Sequence, residues 1–304
     1  MAASIASGVA TGDFSSAWNM VNSLMLLAFI PMMPNNIALP VVALMKSFLD
    51  FEIIPNLFEL ILDEDEFVGP EPYSNAQEFG YDNSVWIING GEMLSSVLVM
   101  FCFLPVALAM RKCKNSTIAS YFAGVVISYK WSFFIRAWIE IYLELGIATV
   151  LQILGPSDSN VTLLTNSILG YIFAFSLSIS PLVITAFLWI SWSKMVKPTT
   201  AYSNLYGSLF MEFKNNGSVM GGMYYSLFYW RRLVYILNIV FMRDYKLIQF
   251  LINMGLSGAN LIFLFVYLPY THIVTNIVAL YSELGILAVF GLSYGFSYYD
   301  SEFM

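Results

Sequence analysis

Charge is what this chain has least of. Only 11% of its 304 residues are Asp, Glu, Lys or Arg, where soluble domains carry about 25%. With 59% hydrophobic residues, a water-soluble fold of this length could not hide its apolar surface. The solvent for most of the chain is therefore expected to be lipid. Cysteine is scarce too. Cys102 falls in an apolar run and Cys113 beside a basic cluster, which argues against a disulfide framework or a zinc site. Histidine is represented by His272 alone, with no neighbours that would make it a metal ligand. No Ser/His/Asp grouping and no GxGxxG, P-loop, HExxH, GxSxG or CxxC pattern occurs. That leaves little for acid–base chemistry at neutral pH. The expectation is a non-enzyme with no catalytic residues, cofactor or metal. Basic residues are too scattered for nucleic acid.

What is present points to a membrane. Aromatic residues make up 17% of the chain, and Trp and Tyr favour the two membrane interfaces. Six apolar runs are long enough to cross at about 1.5 Å per residue. They cover 86–110, 131–153, 161–193, 223–242, 247–268 and 273–297, and Pro181 is expected to kink the third. Residues 15–33 are shorter and interrupted by Asn19 and Asn22. They fit a span, a re-entrant helix or an interfacial helix. Residues 38–62 read as amphipathic helices lying on the membrane or on the protein. Half of the twenty acidic residues lie between Asp50 and Asp82, and 63–82 reads as a polar loop. The expected fold is an all-α polytopic bundle of about six spans plus an N-terminal membrane-associated helix. Residues 1–84 form the N-terminal helices and acidic extracytoplasmic loop, and 85–304 form the bundle.

Lysine and arginine set the expected orientation. Arg111, Lys112, Lys114 and Lys130 flank one loop, and Lys194, Lys197 and Lys214 another. Both should be cytoplasmic. The acidic 50–82 loop and the 155–160 loop then lie outside, where Asn160-Val161-Thr162 is a glycosylation sequon. Asn115 and Asn216 would be inside and unused. Arg243 and Lys246, in a predicted outer turn, run against the rule.

The sharpest feature is RAWIEIYLEL, residues 136–145. Arg136, Glu140 and Glu144 form one stripe at i, i+4, i+8. An isolated charge at mid-bilayer costs roughly 2.5–3.5 kcal/mol on insertion scales. Arg136 and Glu140 can neutralise each other in part, leaving Glu144 in need of a donor. Arg231 and Arg232, a tandem pair in a later span, are the available cations. The expectation is that the Glu140/Glu144 face docks on the helix carrying Arg231. A salt-bridge network holding the bundle together is the favoured role, with a cation pathway or proton relay the sharper reading. Asn253 and Asn260 in the following span, with Glu283 in the last, could bond helices together or line an ion path.

Several short motifs carry a family resemblance. They are Ala10-Thr11-Gly12, Trp18-Asn19, Asn22-Ser23-Leu24, Phe51 to Pro55, and Phe134-Ile135-Arg136 with Glu140 and Tyr142-Leu143-Glu144. In the second half come Leu205 to Leu209, Tyr229-Trp230-Arg231-Arg232-Leu233, Asp244-Tyr245 with Gln249, Tyr267-Leu268-Pro269-Tyr270, Asn276 and Glu283. Together they resemble the C-terminal membrane module of the large cysteine-rich surface proteins of ciliates and related protists. The layout is distantly similar to the fungal TRP-like flavin-carrier family and, more remotely, to polycystin and TRP channels. The cysteine-rich ectodomain of the surface proteins is missing from this sequence. The resemblance implies a TRP-like helix bundle in the plasma membrane or another cell-surface membrane, with protein partners or copies of itself. It implies a module that anchors or assembles a membrane complex and, as the alternative, a cation-channel subunit. It defines no catalytic residues.

Overall fold

A computed structural model describes residues 15–33, 39–47, 56–58, 71–113, 116–128, 131–155, 161–210, 212–214 and 219–303. Among them the chain is helical throughout. The one extended pairing is an isolated bridge between Phe213 and Tyr270. The helices are α1 (Ser15–Ala28), α2 (Leu39–Lys46), α3 (Ser74–Phe79), α4 (Trp86–Asn89), α5 (Gly91–Met110), α6 (Ser116–Ser128), α7 (Trp131–Leu154), α8 (Val161–Val196), α9 (Thr200–Tyr206), α10 (Val219–Gly222), α11 (Tyr224–Phe241), α12 (Lys246–Tyr267) and α13 (Ile273–Phe303).

Four stretches are long and apolar enough to cross a membrane: Gly91–Met110, Leu164–Val196, Lys246–Tyr267 and Ile273–Gly295. Shorter apolar helices run from Asn22 to Met32 and from Ile141 to Leu154. The protein is thus an integral membrane protein by the length and composition of its helices. Two expected spans, 131–153 and 223–242, are helical but carry the charges that set them apart. Other boundaries differ from the sequence reading. Trp86–Asn89 form a separate short helix ahead of α5, and the polar 71–82 segment contains α3. The helix α6 was not anticipated.

The bundle is organised around α11, which packs against α7, α8 and α12, while α13 packs against α12 and α1. This central helix is less apolar than its neighbours, yet Tyr229, Arg232, Tyr235, Asn238 and Ile239 are all buried in it. Close approach to α7 is made at Gly146, where an added Cβ would meet the Ile236 side chain at 2.3 Å.

Pro181 lies inside α8, and the helix continues through it. A proline has no N–H to give the carbonyl four residues earlier. That carbonyl, on Leu177, accepts from the Tyr142 hydroxyl of α7 at 2.8 Å and from Ser180 Oγ at 3.0 Å. The freed backbone group thereby becomes an interhelical contact, one of the ways in which a spanning helix tolerates proline. One turn later, Thr185 Oγ1 lies 2.6 Å from Ser226 Oγ and accepts from Trp230 Nε1 at 3.2 Å, tying α8 to α11.

The two ends of the bundle differ in charge. At one end the 71–90 segment closes over the helices. Trp86 donates through its backbone to Gln152 Oε1 and through its indole to Thr149 Oγ1, and it stacks on Phe173 at 4.4 Å. Asn75 Nδ2 donates to the Met33 carbonyl. Glu71, Glu78 and Asp82 lie here, together with Lys46, Arg243 and Lys246. Arg111, Lys112, Lys194 and Lys197 are exposed where α5 and α8 finish, and the α6 that follows α5 touches the α9 that follows α8. Lys214 joins that end, since its backbone N–H donates to the Pro269 carbonyl below α12.

Turns are closed by buried amides. Asn276 accepts from the Tyr270 N–H and donates to the carbonyls of Tyr270 and His272. This fixes the turn after Leu268, whose φ of +41° ends α12 in the left-handed region. At the opposite end, Gln249 Nε2 donates to the Asn238 and Ile239 carbonyls, and Asn238 Nδ2 donates to the Gln249 carbonyl. The Asn238 and Ile239 carbonyls belong to the last turn of α11; that of Asn238 also accepts from the Met242 N–H, so Gln249 adds a second donor there.

Candidate functional site

The polar centre of the bundle is built on the tandem arginines of α11. Consecutive helical residues point about 100° apart, so Arg231 and Arg232 serve different neighbours. Arg231 Nη1 meets Glu283 Oε1 of α13 in an ion pair, and its Nη2 donates to Ser257 Oγ of α12 at 2.8 Å. One guanidinium therefore joins three helices. Arg232 is fully buried. Its Nη1 donates to the Ile139 carbonyl of α7 at 2.6 Å and its Nη2 to Asn22 Oδ1 of α1 at 2.7 Å. Its guanidinium carbon lies 4.1 Å from the centre of the Phe228 ring. A planar fork of donors suits both tasks better than an ammonium would.

A cavity of about 20 Å³, room for roughly one water, lies between these groups; Asn22, Tyr224, Phe228, Arg231, Arg232 and Glu283 help to line it. Several atoms nearby are buried without a hydrogen-bond partner: Arg232 Nε, Glu283 Oε2, Asn253 Oδ1 and the Tyr229 hydroxyl. Unmet polar groups in a dry interior are costly, which makes this centre the place to look for function.

The acid on Arg231 is Glu283, where the sequence reading had sent Glu144. The physical reason lies in depth. Glu144 sits about three turns from the end of α7, within electrostatic reach of Tyr81 in the polar end segment. Arg231 lies about two turns into α11 from the other end, level with Glu283 of α13. The side chains of Arg136 and Glu140 lie outside the described residues, as does the sequon residue Asn160. Asn253 is buried and donates to Met33 Sδ at 3.6 Å. Asn260 is half-buried two turns further along α12, and Ser257 between them carries the bond to Arg231.

Sequence reasoning missed Asn22 and Ser257 as partners of the arginines. Asn22 did leave a signal, as a polar residue inside a short apolar run. Ser257 left none, because serine is common in spanning helices. Among the described residues no group of three or more His, Cys, Asp or Glu side chains gathers as a metal site would require.

Comparison with known protein families, with curated proteins and with solved structures finds no match to this chain.

Proposed function

We propose that this chain is a non-enzymatic multi-pass membrane module that anchors or assembles a membrane complex. The observation that carries this reading is the commitment of the interior charges. Arg231, Arg232 and Glu283 are spent on joining α1, α7, α11, α12 and α13 to one another, around a cavity no larger than about one water. An intramembrane ion pair of this kind locks helix register.

The lateral surface supports the same reading. The spanning stretches of α5 and α8 are only 18% and 17% buried within the chain, against 33% for that of α13. Phe101, Phe103, Tyr171, Phe175 and Trp189 are exposed there. These flanks are free to meet lipid, a second copy or another spanning protein. In this reading α7 and α11 cross as well, giving about six spans, with α1 as the associated N-terminal helix. The basic end faces the cytoplasm, and the membrane is a cell-surface one, in keeping with the resemblance to protist surface modules.

Isolation in mild detergent followed by quantitative mass spectrometry tests the proposal. A partner or a second copy at fixed stoichiometry is expected. Recovery of the chain as a lone monomer overturns it.

A cation-channel subunit is the second reading. Its support is that Glu283 and Asn253 each keep one buried oxygen unpartnered, as a path lined by Asn253, Asn260 and Glu283 would need. Purified protein in planar bilayers should then conduct. An unchanged conductance and selectivity in Glu283→Ala removes this lining.

A further inference from the structure

A second cavity, of about 300 Å³, opens at the acidic end of the bundle. That is the lower bound of ordinary small-ligand sites, which run from about 300 to 1,000 Å³. Its walls include Glu71, Tyr73, Ser84, Leu151, Leu154 and Arg243. None of these residues belongs to the arginine centre.

The walls carry one charge of each sign, held apart. Glu71 accepts from Gln77 Nε2 at 3.2 Å. Among the described residues, Arg243 is within ion-pair distance only of the exposed Asp244, at 3.9 Å. Among the described residues, Glu71 and Arg243 form no ion pair with each other, though both face the same space. These two are braced: the Arg243 guanidinium lies over the Tyr73 ring, 5.6 Å from its centre, and Glu71 is held by α3. The acidic side is reinforced by the C-terminal end of α7, since Leu151, Leu154 and Gly155 all line the cavity. A helix C-terminus carries about half a negative charge. The site therefore matches a compact ligand with an anion at one end and a cation at the other.

The neighbourhood decides the source. Leu151 and Leu154 form an apolar wall, and Leu154 is exposed at its rim. On the adjoining start of α12, Tyr245, Leu247, Ile248 and Leu251 are exposed as well. A headgroup could sit in the cavity while its acyl chains follow that apolar flank. The cation is a primary amine and not a quaternary one, because the Tyr73 face that could receive a choline is already taken by Arg243. Glu71 also rewards N–H donors.

We propose that this cavity binds the headgroup of an amine-bearing zwitterionic phospholipid, its phosphate on Arg243 and its ammonium on Glu71.

The test uses the full chain in nonionic detergent, titrated by calorimetry with soluble dihexanoyl lipids. Dihexanoyl phosphatidylethanolamine should bind at least about tenfold tighter than the phosphatidylglycerol of the same chain length. Arg243→Gln and Glu71→Gln should each erase that preference. Arg243→Lys should keep part of it, and Glu78→Gln, outside the cavity, all of it; both also control for folding. Equal binding of the ethanolamine and glycerol lipids overturns the proposal. Equal binding of phosphatidylcholine overturns the primary-amine assignment. Free phosphoethanolamine binding as tightly as the lipid overturns the membrane source. A loss of preference in Glu78→Gln matching that in Glu71→Gln overturns the site.

Discussion

Arg231 and Glu283 stand 52 residues apart in sequence and in contact in space, and the same guanidinium holds Ser257. Two helices and the turn between them are thus clamped to α11 by one side chain. The pair sits in a largely buried setting, where an orphaned charge is far more costly than a missing pair. Glu283→Ala should therefore destabilise the protein by about 3–5 kcal/mol. Replacing both partners, Arg231→Met with Glu283→Leu, should recover much of that loss. Unfolding in mixed micelles measures the cycle. A double variant as unstable as the sum of the single ones would show that the two residues do not act as a pair.

The neighbouring arginine makes a different prediction. Arg232 bonds a backbone carbonyl of α7 and an amide of α1 while covering Phe228. Lysine keeps the charge but cannot present a planar fork to both acceptors. Arg232→Lys should cost about 1–3 kcal/mol. In an Arg232→Lys background, Asn22→Ala should cost less than it does alone. Equal cost in both backgrounds would dissolve the link to α1.

At the acidic end the chain should be sensitive to alkali. Burial pushes the Tyr73 hydroxyl above its ordinary value of 10, against a smaller opposing pull from Arg243. Burial, then Glu144 and Tyr73, push Tyr81 up as well. The folded state holds both phenols neutral while the unfolded chain ionises them. Their contribution is thus complete below pH 10 and falls as pH rises beyond it, by at most about 1.4 kcal/mol per pH unit for each tyrosine. Tyr73→Phe and Tyr81→Phe should each flatten the loss of stability between pH 9 and 11. An unchanged slope in both would place the alkaline sensitivity elsewhere.

Much of this architecture is legible in the sequence, and the reasons are physical. Runs such as MLSSVLVMFCFLPVALAM admit one solvent only, so α5 could be read from composition. The importance of Arg231, Arg232 and Glu283 could be read from the cost of their charges in lipid. Partnership could not. Arg136, Glu140 and Glu144 share a helix face, and that local spacing drew attention to the wrong acid for Arg231. Which acid meets which arginine depends on depth along neighbouring helices, a relation between segments that spacing within one segment does not encode. Pro181 is legible as a gap in the helix's hydrogen bonding, but that Tyr142 would give the freed Leu177 carbonyl a donor from another helix is not. The helix α6 was hidden because Lys130 and the basic cluster at 111–114 made its surroundings look like loop.

The length of α8 has a consequence of its own. Its apolar stretch of 33 residues measures about 50 Å, while a hydrocarbon core is about 30 Å thick. Such a helix cannot stand upright in the bilayer with its whole apolar surface covered. It has to lean steeply, bend or thicken the lipid around it. Since α7 and α11 are fastened to it at Leu177 and Thr185, its lean is shared by the core. Membrane thickness thereby becomes a mechanical input to the bundle, with thicker membranes drawing α8 toward the normal and the arginine-bearing helix with it.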